Sequence, residues 1–236
     1  MAARAPRECR LGLVRVVSLV PSVTETMLAW GIIPIACTRF CEQPSLRAVG
    51  GTKDPDVAAI VGLQPDLVVV DEEENRLEDH DELVAAGVDV HVLAVRSVAD
   101  LDAQLGPLAE RVGARWEGVG DVEPRAGRGR AFVAIWRRPW MALGVPTYGS
   151  SLLEMLGIRN VFATSAYPEV SLDDARVARP DVVLAPSEPY PFGDRHRTEL
   201  ESVAPVLFVD GKDLFWWGAR TPAASSRLDA VIRRLP

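Results

Sequence analysis

Short apolar runs alternate along the chain with segments in which apolar residues recur at helical spacing. Runs of this kind, bounded by turn residues, are typical of buried strands. Because strands and helices alternate, the pattern predicts βαβ units, parallel sheets and an α/β fold. The predicted strands are Val14–Val20, Ile32–Cys37, Leu67–Val70, Val88–Leu93, Phe132–Trp136, Val182–Ala185 and Val206–Val209.

Helices are predicted between these strands. Ser22-Val-Thr-Glu25 has the sequence of a capping box and opens a helix that closes at Gly31. Asp54 caps a second helix, with Pro55 at its first position. The longest helical pattern begins at its cap, Ser97, and runs to roughly Trp116. The other predicted helices are Leu77–Ala86, Gly149–Leu156, Ser171–Val177, Asp194–Ser202 and one that starts at Thr221-Pro222.

One segment interrupts this alternation. Residues 117–130 are rich in Gly, Pro and Arg and have no apolar period, which indicates a loop or a lobe boundary. We therefore expect an N-terminal α/β lobe at residues 1–96, a connecting helix at 97–117 and a C-terminal α/β lobe at 118–236. A chain of 236 residues could also form one large domain.

A repeated unit supports two similar lobes. Leu63-Gln-Pro-Asp-Leu-Val-Val-Val-Asp71 leads into an acidic loop, and Arg179-Pro-Asp-Val-Val-Leu-Ala-Pro-Ser-Glu188 has the same order of residue types 115 residues later, from Pro65 to Pro180. Chance similarity between common α/β patterns is the alternative explanation. In an open α/β sheet, the loops after such strands lie at the carboxyl edge, where ligands bind.

Charge and composition argue against some classes of binding partner. The net charge is −7, and residues 1–110 hold nine Lys/Arg against 18 Asp/Glu. This acidic half argues against nucleic acid. No apolar run approaches the ~20 residues of a membrane span, so we expect no membrane insertion. Residues 1–13 contain no apolar stretch of signal-peptide length, so we expect a cytoplasmic protein, with an extracytoplasmic location as the alternative if a signal was removed.

The sequence contains no motif for covalent catalysis and no pair of metal ligands at a helical spacing. His80, His91 and His196 stand in unlike contexts, and the three cysteines, Cys9, Cys37 and Cys41, cannot form a complete disulfide framework. The carboxylates of Glu72–Glu74 could bind a hard cation, but they are weak evidence alone. We therefore predict no catalytic residue, no dedicated metal site and no cofactor.

A binding cleft is the better prediction. If the two lobes face each other with their strand ends, loops from both should line the space between them. Phe215, Trp216 and Trp217 are consecutive, so at least one ring must point away from the core in any regular structure. Exposed aromatic clusters favour a binding surface. The loops add Glu73, Tyr148, Glu188, Tyr190 and Trp217 as candidate ligand-binding residues.

Several segments resemble one known family, the helical-backbone metal-receptor superfamily. They are Arg15-Val-Val-Ser-Leu-Val-Pro-Ser-Val-Thr-Glu25, Val49-Gly-Gly-Thr-Lys-Asp-Pro-Asp56, Leu63-Gln-Pro-Asp-Leu-Val68, Glu73-Glu-Asn-Arg76, Arg138-Pro-Trp-Met141, Thr147-Tyr148 and Phe215-Trp-Trp-Gly-Ala-Arg220. Members are the class III solute-binding proteins of ABC importers for cobalamin, haem and iron-siderophores. The resemblance implies two Rossmann-like lobes with parallel sheets, joined by a single long helix.

The resemblance also implies a shallow cleft that holds a corrinoid or a metal chelate. The residues it places against the ligand are Pro21, Ser22, Glu74, Asn75, Arg76, Tyr167, Trp216 and Arg220. Indoles would cover the face of a macrocycle, while Asn75, Arg76 and Arg220 would hydrogen-bond its peripheral groups.

Two departures from the family pattern affect the expected partner. Gln43 replaces the histidine of the Cys-x-His-Pro sequence that related short members have, and Arg47 stands where an acidic residue for docking on an ABC permease is expected. We therefore expect a monomeric, non-enzymatic, intracellular carrier of a cobalamin-type corrinoid, or of a related tetrapyrrole or iron chelate. The alternatives are an exported ABC-importer subunit that docks on a permease and an intracellular enzyme that reuses the cleft.

Overall fold

Two sheets, one from each half of the chain, form the framework of the protein. The computed structural model describes residues 14–120 and 125–234. Cys9, the rest of the segment in which a signal was sought, and residues 121–124 of the predicted boundary loop lie outside the described residues. The bounds of the lobes predicted above stay a prediction. Below, the first lobe means the first sheet with its helices, and the second lobe means the second sheet with its helices.

The first sheet is fully parallel, as predicted. Its strands are β1 (Val16–Ser18), β2 (Ala36–Cys37), β3 (Leu67–Asp71) and β4 (Val90–Leu93), in the order β2-β1-β3-β4. Its helices are α1 (Pro21–Ala29), α2 (Val57–Gly62) and α3 (Leu77–Ala85). All five residues of β3 are buried, which is why this strand is apolar on both faces instead of alternating.

The second sheet is parallel except at one edge. Its strands are β5 (Gly129–Trp136), β6 (Met141–Ala142), β7 (Ile158–Asn160), β8 (Val182–Pro186) and β9 (Val206–Val209). The path is β6-β5-β8-β9, with β7 also beside β5, and the two-residue β6 is antiparallel. Among the described residues between the two sheets in sequence, the helix is α4 (Asp100–Arg111). The later helices are α5 (Tyr148–Met155), α6 (Leu172–Ala178), α7 (Arg197–Glu201), α8 (Gly211–Phe215) and α9 (Thr221–Ile232).

The repeated unit has the same hydrogen bonds in both sheets. Asp66 Oδ2 accepts from the Arg15 amide at 3.0 Å, and Asp181 Oδ2 accepts from the Arg130 amide at 2.7 Å. In return, the carbonyl oxygens of these arginines accept from the Asp66 and Asp181 amides at 2.9 and 2.8 Å. Each Pro-Asp pair therefore starts a central strand and joins it to its neighbour in the same way, which supports two copies of one unit.

The ends of the two central strands also correspond. The Glu72 amide donates to the Leu93 carbonyl at 2.9 Å, and the Ser187 amide donates to the Val209 carbonyl at 3.0 Å. Each bond holds the loop after a central strand against the end of the next strand. The loops beginning at Glu72 and Ser187 thus occupy equivalent positions at the carboxyl edges of the two sheets.

The helix between the sheets is shorter than predicted. It spans Asp100–Arg111 and not Ser97–Trp116. Gly113 has a φ of 72°, a left-handed conformation that ends helices, so the apolar spacing beyond it is not helical. At the other end, Asp100 and Leu101 donate to the carbonyls of Ser97 and Val98, which makes a tight turn before the helix.

Several other elements also start at different residues. Strand β2 starts at Ala36 and not at Ile32, and β5 starts at Gly129 and not at Phe132. Helix α1 begins at Pro21 with Val20 at its N-cap position, so Ser22 is inside the helix and does not cap it. Helix α2 is capped by Asp56, whose side chain accepts from the Ala59 amide, and not by Asp54. The strands β6 and β7 and the short helix α8 were not predicted. They are two to five residues long, too short to produce a period in the sequence.

A continuous apolar cluster joins the two sheets. It contains Val16 and Val69 from the first sheet, Val133 and Leu184 from the second, and buried leucines of α4. Leu101, Leu105 and Leu108 of that helix are fully buried. Two smaller clusters cover the outer faces of the sheets. No helix within residues 14–120 and 125–234 is long and apolar enough to cross a membrane.

The loop before α9 packs tightly on α1. The Ala219 amide donates to Thr26 Oγ1 at 3.1 Å, and Gly218 has a φ of 109°. A Cβ atom at Gly218 would overlap Thr26 Oγ1. Only glycine fits here, because the backbone of one lobe touches a side chain of the other.

We expect Gly218→Ala to lower the free energy of unfolding by about 1–3 kcal/mol more than Gly31→Ala does. Both glycines have positive φ, but a Cβ at Gly31 would meet nothing within 4 Å. The loss of stability in Gly31→Ala therefore measures the cost of alanine at positive φ alone. The additional loss in Gly218→Ala measures the overlap with Thr26 of the other lobe. Denaturant unfolding gives both values. Equal losses would contradict a close packing of Gly218 on Thr26.

Candidate functional site

Loops at the carboxyl edges of the two sheets face each other, and we call the space between them the inter-lobe cleft. Tyr167, between β7 and α6, donates from its hydroxyl to Glu73 Oε2 at 3.0 Å across this space. Lys212 of α8 pairs with Glu42 of the first lobe. The structure thus brings candidate residues from distant parts of the chain to one place, as the fold predicts for the ends of parallel strands.

The loop after β3 is held by its own polar side chains. Asp71 Oδ1 accepts from the amides of Glu73 at 2.9 Å and Glu74 at 3.3 Å. Asn75 is 7% exposed, and its Oδ1 accepts from the Asp71 amide at 2.9 Å. Its Nδ2 donates to the carbonyls of Leu19 and Thr52. The side-chain amide of Asn75 therefore holds the loop against the segments that contain Leu19 and Thr52. The carboxylates of Glu73 and Glu74 take no part in these bonds.

Burial raises the pKa of two carboxyl groups in this loop. Desolvation raises the pKa of Asp71 to about 6 and, with repulsion from Asp71, that of Glu74 to about 7. Asp71 is 3% exposed, whereas Glu74 keeps a water-accessible surface. The charges that act on Glu74 belong to Asp71, Lys53 and Glu73 of its own lobe and to Glu188 of the second lobe.

The second lobe contributes Glu188 and Trp216 to the opposite side. Burial raises the pKa of Glu188, and the nearby Lys212 and Trp216 side chains oppose the rise. A Cβ at Gly211 would overlap the Glu188 side chain, so the start of α8 lies directly against it. Lys212 Nζ lies 5.0 Å from the centre of the Trp216 ring, and the guanidinium of Arg220 lies 5.4 Å from it. The indole is thus held in place by charged neighbours.

Two other predicted cations have internal partners. Arg220 donates to both oxygens of Glu25 at 2.7 Å and to Asp213 at 2.9 Å, which links α9 to α1 across the lobes. Arg76 donates to both oxygens of Asp79, at 2.9 and 2.6 Å. Neither guanidinium has its full set of donors available, although the Arg76 side chain stays half exposed.

Three predicted aromatic residues lie apart from the cleft contacts described above. Tyr148 is 4% exposed, and its hydroxyl is 2.8 Å from Thr221 Oγ1. Trp217 is 6% exposed within the large apolar cluster. Tyr190 packs against Trp136 and against two more rings, Phe192 and His196. Tyr167, by contrast, is 43% exposed, and Trp216 is half-buried.

Pro21 and Ser22 form the first turn of α1 and are buried. The Ser22 carbonyl accepts from Thr26 Oγ1 at 2.8 Å, and that hydroxyl is also the acceptor for the Ala219 amide. These two candidates therefore lie beside the contact between the lobes. Pro21 and Ser22 follow Leu19 and Val20 in the chain, and the Leu19 carbonyl accepts a hydrogen bond from Asn75 Nδ2.

The sequence prediction missed two lysines at the cleft. Lys53 donates from Nζ to the Glu73 carbonyl at 2.5 Å, and Lys212 lies over the Trp216 ring. Lys53 belongs to a Gly-Gly-Thr-Lys segment that the family resemblance included, and Lys212 precedes Trp216 by four residues. Proximity to the predicted loops was the only signal for either residue.

The described residues contain no group of three or more His, Cys, Asp or Glu side chains suited to hold a metal ion. Cys37 and Cys41 are buried free thiols. Cys41 Sγ lies 3.2 Å from the hydroxyls of both Thr24 and Thr38. Interactions with Cys37 and with the Thr24 and Thr38 hydroxyls lower the pKa of Cys41. The Cys41 thiol is therefore packed between α1 and the residue that follows β2.

Sequence comparison finds distant relatives. The chain matches no protein-family model. It is 23% identical over 189 residues to the vitamin B12-binding protein of Salmonella choleraesuis (strain SC-B67), which covers 72% of this chain and 71% of that protein. The vitamin B12-binding protein of Pectobacterium carotovorum is 23% identical over 198 residues, which covers 74% of this chain and 72% of that protein.

Solved structures have the same fold. The periplasmic vitamin B12 binding protein BtuF of Vibrio cholerae superposes with a TM-score of 0.76 at 18% identity, over 93% of this chain and 96% of that chain. A periplasmic heme binding protein from Pseudomonas aeruginosa gives a TM-score of 0.76 at 19% identity, over 94% of each chain. The class III solute-binding-protein fold that the resemblance implies is thereby confirmed.

Proposed function

We propose that the protein binds a cobalamin-type corrinoid, or a related tetrapyrrole or iron chelate, in the inter-lobe cleft. The observation that supports this most is that two partly accessible rings of the second lobe stand where it meets the first. Tyr167 bonds to Glu73, and Trp216 lies beside Lys212, which pairs with Glu42. Flat aromatic rings suit a large ligand with an apolar face. The relatives, which are named as binders of vitamin B12 or heme, support the same ligand class.

The proposal includes binding without catalysis. Raised pKa values are found in catalytic acids, but here burial and mutual repulsion between the carboxyls account for those of Asp71 and Glu74. The relatives are named as binding proteins. Incubation of each candidate ligand with the protein, followed by mass spectrometry, tests this point, because an enzyme would return a chemically altered ligand.

The cellular partner and location need separate tests. The similar structures are named as periplasmic proteins, so they give no support to a cytoplasmic location. An exposed Arg47 puts a cation where the family resemblance implies an acidic residue for permease docking. We propose a monomeric carrier as the first alternative and a permease-coupled subunit as the second. Cell fractionation and co-purification with membranes distinguish the two.

Ligand binding itself is tested with cyanocobalamin, aquocobalamin, haemin and ferric siderophores. We expect at least one of them to bind with Kd below about 10 μM, roughly −7 kcal/mol. Isothermal titration calorimetry and absorption spectra supply the measurement. If none of these compounds binds at 100 μM, the proposed function is wrong.

Trp216→Ala should weaken binding of the ligand about tenfold, because the variant removes the accessible ring beside Glu188. Trp116→Ala is a suitable control. Trp116 packs edge-on against Trp30 at the opposite end of α1, with ring centres 6.2 Å apart. It should change affinity less than twofold. The proposal for Trp216 is contradicted if the two variants bind equally well.

Arg220→Ala should mainly reduce stability, by about 2–3 kcal/mol, because Glu25 and Asp213 each lose a charged partner. Arg227→Ala is the matched control, since Arg227 pairs with Asp213 but has no bond to Glu25. We expect a smaller loss for it. Denaturant unfolding and calorimetry separate the two roles. An Arg220→Ala protein of unchanged stability and strongly reduced affinity would show that this side chain binds ligand directly.

A further inference from the structure

Polar contacts of two kinds join the two lobes, and they differ in burial. The first kind lies between α1 and the loop before α9. There the Ala219 amide donates to Thr26 Oγ1 at 3.1 Å, and Arg220 donates to both oxygens of Glu25 at 2.7 Å. Thr26 is buried, and most of the Arg220 side chain is shielded from water. These contacts therefore form a durable connection between the lobes.

The second kind crosses the inter-lobe cleft and is open to water. The Tyr167 hydroxyl donates to Glu73 Oε2 at 3.0 Å, and Lys212 Nζ pairs with Glu42. Tyr167 is 43% exposed, and 63% of the Glu42 side chain is exposed. Exposed polar contacts shift an equilibrium only a few fold, because water competes for both partners. These two contacts can therefore open while the buried ones stay closed.

The backbone that carries Tyr167 and Glu73 is anchored within each lobe. The carbonyls on both sides of Tyr167 accept from amides of β6 and the residues after it, at 2.7 and 3.0 Å. The Glu73 amide donates to Asp71 Oδ1 at 2.9 Å, and the Glu73 carbonyl accepts from Lys53 Nζ at 2.5 Å. Because both loops are fixed, the contact between Tyr167 and Glu73 opens by rotation of these two side chains.

A ligand cannot lie between Tyr167 and Glu73 while this contact is formed. Their oxygen atoms are at the distance of a direct hydrogen bond, so no further atom fits between them. Lys212 is held by Glu42 with its Nζ 5.0 Å from the centre of the Trp216 ring. The side chains proposed to contact the ligand are thus engaged by the opposite lobe or lie beside a lysine that is.

We propose that the Tyr167–Glu73 and Lys212–Glu42 contacts form a latch that closes the inter-lobe cleft, and that a ligand binds in competition with this latch. The inference rests on the proposed function and adds the regulation of its site. When only the open arrangement accepts a ligand, the apparent affinity falls by the fraction of molecules that are open. Two exposed contacts should together lower the apparent affinity about three- to tenfold.

The test combines two conservative changes. Tyr167→Phe keeps the ring and removes the hydroxyl, and Glu42→Gln keeps the shape of the side chain and removes its charge. We expect the double variant to bind cyanocobalamin about three- to tenfold more tightly than the wild type, with haemin and a ferric siderophore measured in parallel. Stopped-flow fluorescence should show that the gain comes from faster association.

Salt gives a second measurement on the wild type. Raising NaCl from 20 to 300 mM should speed association of cyanocobalamin, because mobile ions weaken the exposed pair of Lys212 and Glu42. Cyanocobalamin carries no net charge, so salt has little direct effect on its approach. The double variant, which has lost this ion pair, should be insensitive to salt.

Glu72→Gln is the matched control, since it removes the same charge from an ion pair that does not cross the cleft. Glu72 pairs with Arg96 of its own lobe at 3.0 Å, and both side chains are about half exposed. Affinity and association rate should change less than twofold in this variant. The thermal midpoints of all variants show whether they are folded.

Nuclear magnetic resonance tests the latch without added ligand. The chain contains two lysines, Lys53 and Lys212, so protein labelled with 13C-lysine gives two sets of side-chain signals. Glu42→Gln should shift the Lys212 signals and leave those of Lys53 in place. Addition of a compound that binds to the wild type should shift the Lys212 signals in the same direction.

The outcomes separate the latch from the function on which it rests. Unchanged or weaker binding by the folded double variant overturns the latch and leaves the proposed function intact. Lys212 signals that do not respond to Glu42→Gln also overturn it. Failure of every corrinoid, haemin and siderophore to bind the wild type rejects the proposed function itself, whatever the lysine signals show.

Discussion

The position of the two sheets depends on one continuous apolar cluster. Leu101, Leu105 and Leu108 of α4 are fully buried in it, and it also contains residues from strands of both sheets. Protein interiors are close-packed, so a shift of one sheet relative to the other would open voids along this helix. The polar contacts at the cleft, such as Glu25 with Arg220, stabilise an arrangement that the packing already defines.

Two kinds of polar residue line the cleft. Most donors and acceptors of the Asn75 and Arg220 side chains are occupied by internal hydrogen bonds, because a buried polar group needs partners within the protein. Glu74 and Trp216 have more surface left for a ligand. The family resemblance placed all four against the ligand, but the structure gives the first two a clear role in holding the loops. Their role as ligand contacts stays a proposal.

Burial, and after it mutual repulsion, raises the pKa values of Asp71 and Glu74 at some cost to stability. Functional sites commonly contain such groups, because a bound ligand can offset the cost. The excess of acidic residues in residues 1–110 anticipates this feature without locating it. Glu73 meets Tyr167, 94 positions away in the chain, only when the two lobes come together.

The sequence by itself determined the parallel strands, the repeated Pro-Asp unit and the loops that follow it, since these depend on residues close together in the chain. Strand β9 was predicted at its observed bounds, Val206–Val209. Only the tertiary structure decided that Trp217 enters the core while Trp216 stays accessible, and that Gly113 ends α4 early. It also decided the pairing of Arg220 with Glu25, 195 positions apart. Such choices depend on packing between distant segments, which no local pattern of residues records.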